Sequence, residues 1–356
     1  MAHLRLRDRD AVITKEGLIF RVLGYSHPRE FFICDAEYAS SKIFRSDDPR
    51  APRGLGGELF YKFYEDEGWK FIQDRYPQYM ILHEMLKRKV IGVSFNDIFA
   101  TRKPDNVLQE LLYSRRKDDL LSAMRSVVNV VSGSSNLSIE DFGVFGSMLH
   151  GFHHPTLSDI DLVIYGGKNL DRLRKALHEL YESDSTVLKN EFETDQSVKG
   201  KTWQFRNLNS KEYVWHQRRK LTYALFRDQK TGRTIKTEFE PVKNWNEINN
   251  EYDSKTRINS KGWTHILAKV TDDHESPFIS SVYGIEPQEI CEGPRDAVET
   301  QRVVSYLEEF RMQAKQGEII DVRGNLEEVS APTGNFFQIT LTYCPRYYDQ
   351  VLKVKN

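Results

Sequence analysis

Two aspartates one residue apart, Asp159 and Asp161, open the apolar run Leu162-Val-Ile-Tyr165. On a strand, residues i and i+2 share a face, so both carboxylates converge on one side while Ile160 and Leu162 point to the other. Carboxylates held close raise each other's pKa unless a cation lies between them. Mg2+ (or Mn2+) suits that role, since it takes hard oxygen ligands from one or two carboxylates and from substrate phosphates. Two such ions about 3.5–4 Å apart would clamp the attacking and leaving oxygens of an in-line displacement. Eleven residues separate Asp159 from the preceding Gly146-Ser147, which stands directly after the short apolar run Phe142-Gly-Val-Phe145. A glycine lets backbone N–H groups approach a phosphate, and the Ser147 hydroxyl can donate to a phosphate oxygen. If a helix begins near Met148, its N-terminus adds positive charge. One element then grips a triphosphate while the next holds the ions that bridge it, and pyrophosphate is the leaving group. A lone Gly-Ser or a lone Asp-x-Asp carries no such signal; their order, their spacing and the elements around them do.

Those elements are legible from hydrophobic period. Leu120, Leu121, Met124, Val127, Val128 and Val131 recur every three or four residues and predict an amphipathic helix from about Asp118, ended by Gly133. Strands follow at 142–145 and 162–165. Leu170, Leu173, Leu177 and Leu180 then predict a second helix with Asn169 as its N-cap. Earlier, Ala11-Val-Ile-Thr and Gly17-Leu-Ile-Phe-Arg-Val-Leu-Gly flank Lys15-Glu16 as a hairpin, and Phe31 to Tyr38 is a third strand. Residues 46–57, with two prolines and three glycines, read as loop; its Arg50 and Arg53 are within the repertoire of phosphate contacts but are expected to be solvated. After residue 262 alternation returns at 266–270, 318–323 and 336–343, with a helix expected near Ala297–Lys315.

Between residues 198 and 236 there are 11 Lys or Arg and 2 Asp or Glu, so 11 − 2 = +9. Trp203, Phe205, Tyr213, Trp215, Tyr223 and Phe226 interleave with them. The segment Trp215-His-Gln-Arg-Arg-Lys220, with Arg227, Lys230 and Arg233, is the best footprint for nucleic acid. Arg218, Arg219 and Lys220 are equally candidates to grip the triphosphate. Trp203, Phe205, Tyr223 and Phe226 are expected in the core. His150, His153 and His154 lie in the spacer between Ser147 and Asp159. Zinc needs fixed geometry and usually more distant partners, so a loop facing nucleotide or solvent is expected there.

The stretch Phe145–Tyr165 resembles the signature of the DNA polymerase β-like nucleotidyltransferase superfamily, which includes poly(A) polymerases, CCA-adding enzymes and antibiotic nucleotidyltransferases. The resemblance is specific over residues 140–182. The layout of the whole chain is also similar to a group of predicted archaeal nucleotidyltransferases, with a β-rich opening like Asp10-Ala-Val-Ile-Thr-Lys-Glu-Gly-Leu-Ile-Phe, a His-Gln-Arg-Arg-Lys segment after the motif, and a β-rich tail. The resemblance implies two Mg2+ (or Mn2+) ions on Asp159 and Asp161, with Gly146 and Ser147 at the triphosphate. It also implies a third carboxylate on a later strand. Ile235-Lys-Thr-Glu-Phe-Glu240 reads as that strand: Ile235, Thr237 and Phe239 share one face, Lys236, Glu238 and Glu240 the other, and Pro241 is expected to end it. Glu238 is the first candidate for the third acid and metal ligand, Glu240 the second. The superfamily prefers Asp at this place. Without a third acid, nucleotide would still bind but transfer would be slow.

The chain has 356 residues, 39% hydrophobic and 29% charged, with net charge 51 − 52 = −1. That composition supports a substantial core and argues against disorder or a globally basic coat. No stretch approaches the roughly 20 apolar residues of a membrane span. The charged start lacks the apolar core of a signal peptide. Cys34, Cys291 and Cys344 are odd in number and far apart, which predicts neither zinc site nor disulfide framework and fits a reduced, cytoplasmic protein. The expected fold is α+β: a central palm-like nucleotidyltransferase domain with a mixed sheet (101–257) between a β-rich N-terminal domain (1–100) and a β-rich, possibly OB-like C-terminal domain (258–356). The expected reaction moves a nucleoside monophosphate from an NTP to an acceptor hydroxyl, with RNA as acceptor. Two alternatives stay open: AMPylation-type or small-molecule transfer, and a non-catalytic RNA-binding protein that keeps the fold.

Overall fold

Strand-forming residues dominate the opening hundred positions, and they pair as a sheet. The computed structural model describes residues 4–55, 57–115, 118–183 and 186–355. The first three residues of the charged start and Gly56 of the 46–57 stretch lie outside the described residues. Backbone contacts divide the chain into two compact units. The first comprises Met1–His83, Lys87–Ala176 and Phe226–Tyr252; the second comprises Glu84–Leu86, Leu177–Leu225 and Asp253–Asn356.

In the first unit, β1 (Ala11–Ile13), β2 (Leu18–Val22), β3 (Phe31–Ser40), β4 (Pro52–Leu55) and β5 (Glu58–Lys62) are followed by α1 (Glu67–Arg75), β6 (Met80–His83), β7 (Arg88–Ser94) and β8 (Ala100–Arg102). The main path of their sheet runs β4-β5-β3-β2-β1-β8, and the β6–β7 hairpin joins it through β3. The hairpin around Lys15-Glu16 forms as its sequence predicts, with Val12 opposite Phe20. The 46–57 stretch is not all loop. Residues 52–55 pair with β5, and Pro52 is tolerated because β4 is the edge strand. Val12, Leu18, Phe20, Ile72 and Val93 form the core of this sheet, all fully buried.

The central elements are α2 (Pro104–Tyr113), α3 (Asp119–Ser135), β9 (Phe142–Val144), α4 (Gly146–Leu149), β10 (Ile160–Tyr165), α5 (Gly167–Glu182), β11 (Leu188–Asn190), α6 (Ser210–Lys220), β12 (Tyr223–Arg227) and β13 (Thr234–Val242). The periodic residues of α3, from Leu120 to Val131, are its buried face, and Asp118 caps it by accepting the Leu121 N–H at 2.8 Å. Gly133 does not end this helix. It runs to Ser135, and Asn136 takes the left-handed cap at φ 53°. Asn169 is likewise no cap: α5 starts two residues earlier, and the Asn169 amide donates to Asp141 and to the Tyr165 carbonyl. Pro241 does not stop β13, which continues to Val242 with Pro241 beside Ile164.

The second unit carries β11, α6, the start of β12 and the closing sheet of β14 (Arg257–Asp272), β15 (Ser281–Glu292), β16 (Thr300–Ser305), β17 (Ile319–Ala331), β18 (Gly334–Leu341) and β19 (Val351–Val354). Strand order β14-β15-β16-β18-β17 returns to β14, so five strands close a barrel, and β19 adds to β17. β16 and β18 run parallel; the other pairs of this sheet are antiparallel. The helix expected near Ala297–Lys315 is absent. Single 3-10 turns at Arg295–Glu299 and Glu308–Phe310 bracket β16, whose Val303 joins the barrel core instead. Ile266, Val270, Tyr283, Ile320, Leu326 and Ile339 line that interior. The chain is thus α+β, with the site-bearing domain between β-rich flanks. No helix among the described residues is long and apolar enough to cross a membrane.

Candidate active site

The site is built on β9, β10 and β13. β10 is the middle strand, antiparallel to β9 and parallel to β13. Ile160, Leu162 and Ile164 are fully buried on one side, which forces Asp161 to the other. The register sets Asp161 beside Glu238 and Val163 beside Glu240. Neighbours across a ladder share a face, so Glu238 stands next to Asp161 on the carboxylate side. Asp159 lies just before β10 and is exposed; Asp161 and Glu238 are half-buried.

The Gly-Ser element is tied to the same aspartate. The Phe145 N–H donates to the Asp161 carbonyl at 3.0 Å, which delivers the chain to the turn beside the Asp161 side chain. Gly146 has φ 62°, and a Cβ there would come within 2.5 Å of Asp161 Oδ2. Glycine is therefore required twice, by backbone conformation and by the carboxylate in its lap. The helix begins at Gly146 rather than near Met148 and is a single turn, Gly146–Leu149, so its dipole is short.

Burial pushes the Asp161 carboxyl up to about 7; the charge of Asp159 adds to the rise, Lys62 opposes it, Glu240 adds again and Arg9 opposes. Besides Lys62 and Arg9, the groups acting on it are carboxylates, which are hard oxygen donors. Asp159, Asp161 and Glu238 as a donor set fit Mg2+ or Mn2+. Among the described residues, no three His, Cys, Asp or Glu side chains are already gathered as a metal cage.

Glu240 has a different task. Its carboxylate accepts from Arg9 Nη2 at 2.6 Å, and both side chains are 2% exposed. Arg9 also lies over the Phe145 ring, 5.3 Å from its centroid. The pair braces the sheet under the site and leaves Glu238 as the carboxylate beside Asp161. Arg9 was not singled out by sequence. The only trace of its role is the alternating Arg7-Asp8-Arg9-Asp10 ahead of β1, an arrangement that reads as exposed charge yet is wholly buried.

The spacer histidines are structural. His150 is buried, its ring edge-on to Tyr38 and stacked on Phe152, and Arg102 donates to its carbonyl at 2.9 Å. His153 Nε2 is 3.2 Å from Asp118 at the start of α3. His154 is exposed and contacts Thr156. Arg233, counted with the basic footprint, instead donates to the carbonyls of Pro155 and Ser158 and anchors the spacer.

The three basic candidates of α6 belong to the second unit. Asn209 and Glu212 form a capping box at the start of this helix. Arg218 is exposed and pairs with Glu193 at 3.0 Å. Arg219 pairs with Glu318 and lies over Trp215. Lys220 is completely buried and donates to the Glu309 carbonyl at 2.8 Å. Arg218, Arg219, Trp215, Glu193, His178 and Lys315 line a cleft of about 480 Å3. Phe226 is buried in the core as expected, whereas Trp203, Phe205 and Tyr223 are half-buried, Trp203 edge to face with Tyr213 and Phe205 against Phe310.

Residues 129–223 match the family described as nucleotidyltransferase domain. The match takes in β9, Gly146-Ser147 and both aspartates and ends before β13, so Glu238 and Glu240 lie beyond it. The chain is also similar to an uncharacterised protein of Methanocaldococcus jannaschii, 26% identical over 363 positions, covering 99% of this chain and 100% of that one. No solved structure matches the chain. The central region is a nucleotidyltransferase domain, and the protein is a transferase.

Proposed function

We propose that this protein transfers a nucleoside monophosphate from an NTP to an acceptor hydroxyl on RNA, with release of pyrophosphate. One observation carries the reading: the Gly146-Ser147 turn is held against Asp161, with Asp159 and Glu238 on the same edge of the sheet. Asp159, Asp161 and Glu238 would hold two Mg2+ or Mn2+ ions. Bound there, such ions supply charge for the triphosphate and Lewis acidity at the reacting phosphorus. The backbone of the Gly146 turn and the Ser147 hydroxyl donate to phosphate oxygens and set the nucleotide's orientation. The acceptor oxygen bonds to the α-phosphorus as the bond to the bridging oxygen breaks, and the hydroxyl proton passes to the carboxylate edge or to solvent.

RNA as acceptor is supported by the +9 stretch of residues 198–236 and by the five-stranded closed barrel, which suits an OB-like reading of the C-terminal domain. Cytoplasmic location is supported by three cysteines with no disulfide among them. A second reading, a protein or small-molecule acceptor, is favoured by one observation: β15 presents Glu286, Glu289 and Glu292 to solvent, where a phosphate backbone would be repelled.

Label transfer tests both. The protein is incubated with each of four α-labelled NTPs, Mg2+ or Mn2+, and total cellular RNA, or no acceptor. Label on RNA that disappears in Asp159→Ala is the expected result. Label only on the protein would select the second reading, and absence of transfer under every condition would remove both in favour of a binding role.

A further inference from the structure

The sheet of β1–β8 turns one face toward the spacer loop that follows the Gly-Ser turn. Tyr38 lies 5.2 Å from the His150 ring and 5.3 Å from Phe152, and Phe60 lies 5.0 Å from Phe152, centroid to centroid. Ala11, Ile19 and Tyr38 form a buried cluster with Leu149 and Phe152, the residues that close α4 and follow it. This contact lies within the first unit, and it fixes what else shares that face. Lys62 is directly opposite Tyr38 in the β3–β5 ladder, and Phe60 is two residues away on the same strand. Arg53 is directly opposite Phe60 in the β4–β5 ladder. By the period of the pleat, Tyr38, Phe60, Lys62 and Arg53 all stand on the face that packs against the motif.

Lys62 is half-buried, and its described neighbour is the Tyr64 ring, 5.7 Å from its ammonium, rather than a carboxylate. Other cations around the motif are held by the protein itself: Arg9 by Glu240, Arg233 by two carbonyls of the spacer, and Arg53 by the carbonyls of Arg50 and Pro52.

We propose that the N-terminal sheet is part of the nucleotide site, with Lys62 binding the triphosphate of the incoming NTP opposite the Gly146-Ser147 turn. The inference rests on the nucleotidyltransferase reading and adds to it a residue outside the matched domain. An ammonium on a flexible stem is a compact charge with three donors, suited to the terminal phosphates, while the turn's N–H groups take the others. The β-rich N-terminal region then has a reason to pack on the spacer loop: it presents a cation that the catalytic strands do not.

The test measures affinity for an α,β-methylene NTP analogue with Mg2+ by calorimetry, with the matching NMP as control. Lys62→Met keeps the apolar stem and removes the charge. It should weaken analogue binding by about tenfold to a hundredfold, the range of a charge-assisted hydrogen bond, and leave NMP binding unchanged. Lys62→Arg should restore most of the affinity, and Lys62→Glu should weaken it further. Analogue affinity unchanged in Lys62→Met overturns the proposal, and so does an equal loss for NMP and analogue. In either case label transfer by the parent, lost in Asp159→Ala, would keep the underlying reading intact. A parent that neither binds the analogue nor transfers label removes that reading and this inference with it.

Discussion

The catalytic edge of the first unit and the barrel of the second treat charge in opposite ways. In the barrel unit, cations of α6 and the closing strands meet partners within the same unit: Arg219 with Glu318, Lys353 with Glu212, Lys261 with Glu328, and Lys220 with the Glu309 carbonyl. On the proposed catalytic edge, Asp161 and Glu238 stand level across the β10–β13 ladder, Asp159 acts on Asp161, and the nearby Glu240 has already taken Arg9. Folding alone favours the first arrangement, since crowded carboxylates oppose it. A ligand that brings its own cations would relieve the crowding of carboxylates around Asp161.

The sharpest way to break this comparison is to remove the crowded acids. Asp161→Ala and Asp159→Ala should each lower label transfer by about three orders of magnitude, as loss of a main charge-stabilising group does, with the far-ultraviolet circular dichroism unchanged. Full activity in either variant would place the site elsewhere. The two glutamates should separate next. Glu238→Gln should lower transfer by about a hundredfold with little change in melting temperature. Glu240→Gln should cost about 1.5–3 kcal/mol of stability, because Arg9 loses its 2.6 Å carboxylate partner and keeps Asp8 at 3.6 Å, and should affect transfer only through that. The reverse pattern, measured by thermal melts beside initial rates, would exchange their roles.

Opposed charge behaviour should also give opposed pH dependence. In the fold the Asp161 carboxyl sits near 7 against an ordinary 3.8, so between those values the folded state binds more protons than the unfolded chain. Stability falls as pH rises through that window. In metal-free buffer Asp161→Asn should therefore melt higher than the parent at pH 7.5, and the gap should close toward pH 4. His216 of α6 behaves the other way. Burial, helped by Arg219, brings it down to about 3 while its ring faces the Gln313 carbonyl at 3.1 Å. Its contribution is present above pH 6.5 and is lost as pH falls toward 3, because the unfolded chain takes up the proton first. His216→Gln should lower the melting temperature at pH 7.5 yet flatten its decline from pH 6.5 to 4. Parallel pH profiles for the two variants would contradict the contrast.

Much of the catalytic edge was legible because period and chemistry agree there. The alternation Asp159-Ile-Asp161-Leu and the paired Lys236-Thr-Glu238-Phe-Glu240 each dictate a face, and the parallel register brings Asp161 and Glu238 level. Nothing local distinguishes Glu238 from Glu240, however. Their difference is made by Arg9, 231 residues away in sequence, and no period reports such a contact. The same holds for Lys62, whose importance comes from Tyr38 and Phe60 meeting Phe152. In the barrel, alternation identified strands, but the stretch 297–315 was taken for a helix because its turns and its short strand are each too brief for a period to show. The basic run of residues 198–236 was read as one footprint by composition. Structure distributes it among the spacer loop, the interior and exposed pairs, because long cationic side chains are also good hydrogen-bond ties.

The smallest expected effect falls on Arg218, and it sharpens what remains of that footprint. Its pair with Glu193 has both side chains more than half exposed, so Arg218→Ala should change stability by no more than a few tenths of a kcal/mol. Its effect on RNA binding is read from the salt dependence rather than from affinity at one condition. Each phosphate contact contributes about one unit to the slope of log affinity against log salt, so loss of Arg218 should reduce that slope by roughly 0.7–1 if α6 tracks the RNA backbone. Arg218 can exchange Glu193 for a phosphate at little net cost, since an exposed ion pair is weak in water. Lys220 has no such freedom, being held inside at the Glu309 carbonyl, and Lys220→Met should leave the slope where it was. An unchanged slope in both variants would remove α6 from the RNA surface and leave the acceptor to be recognised by the catalytic unit alone.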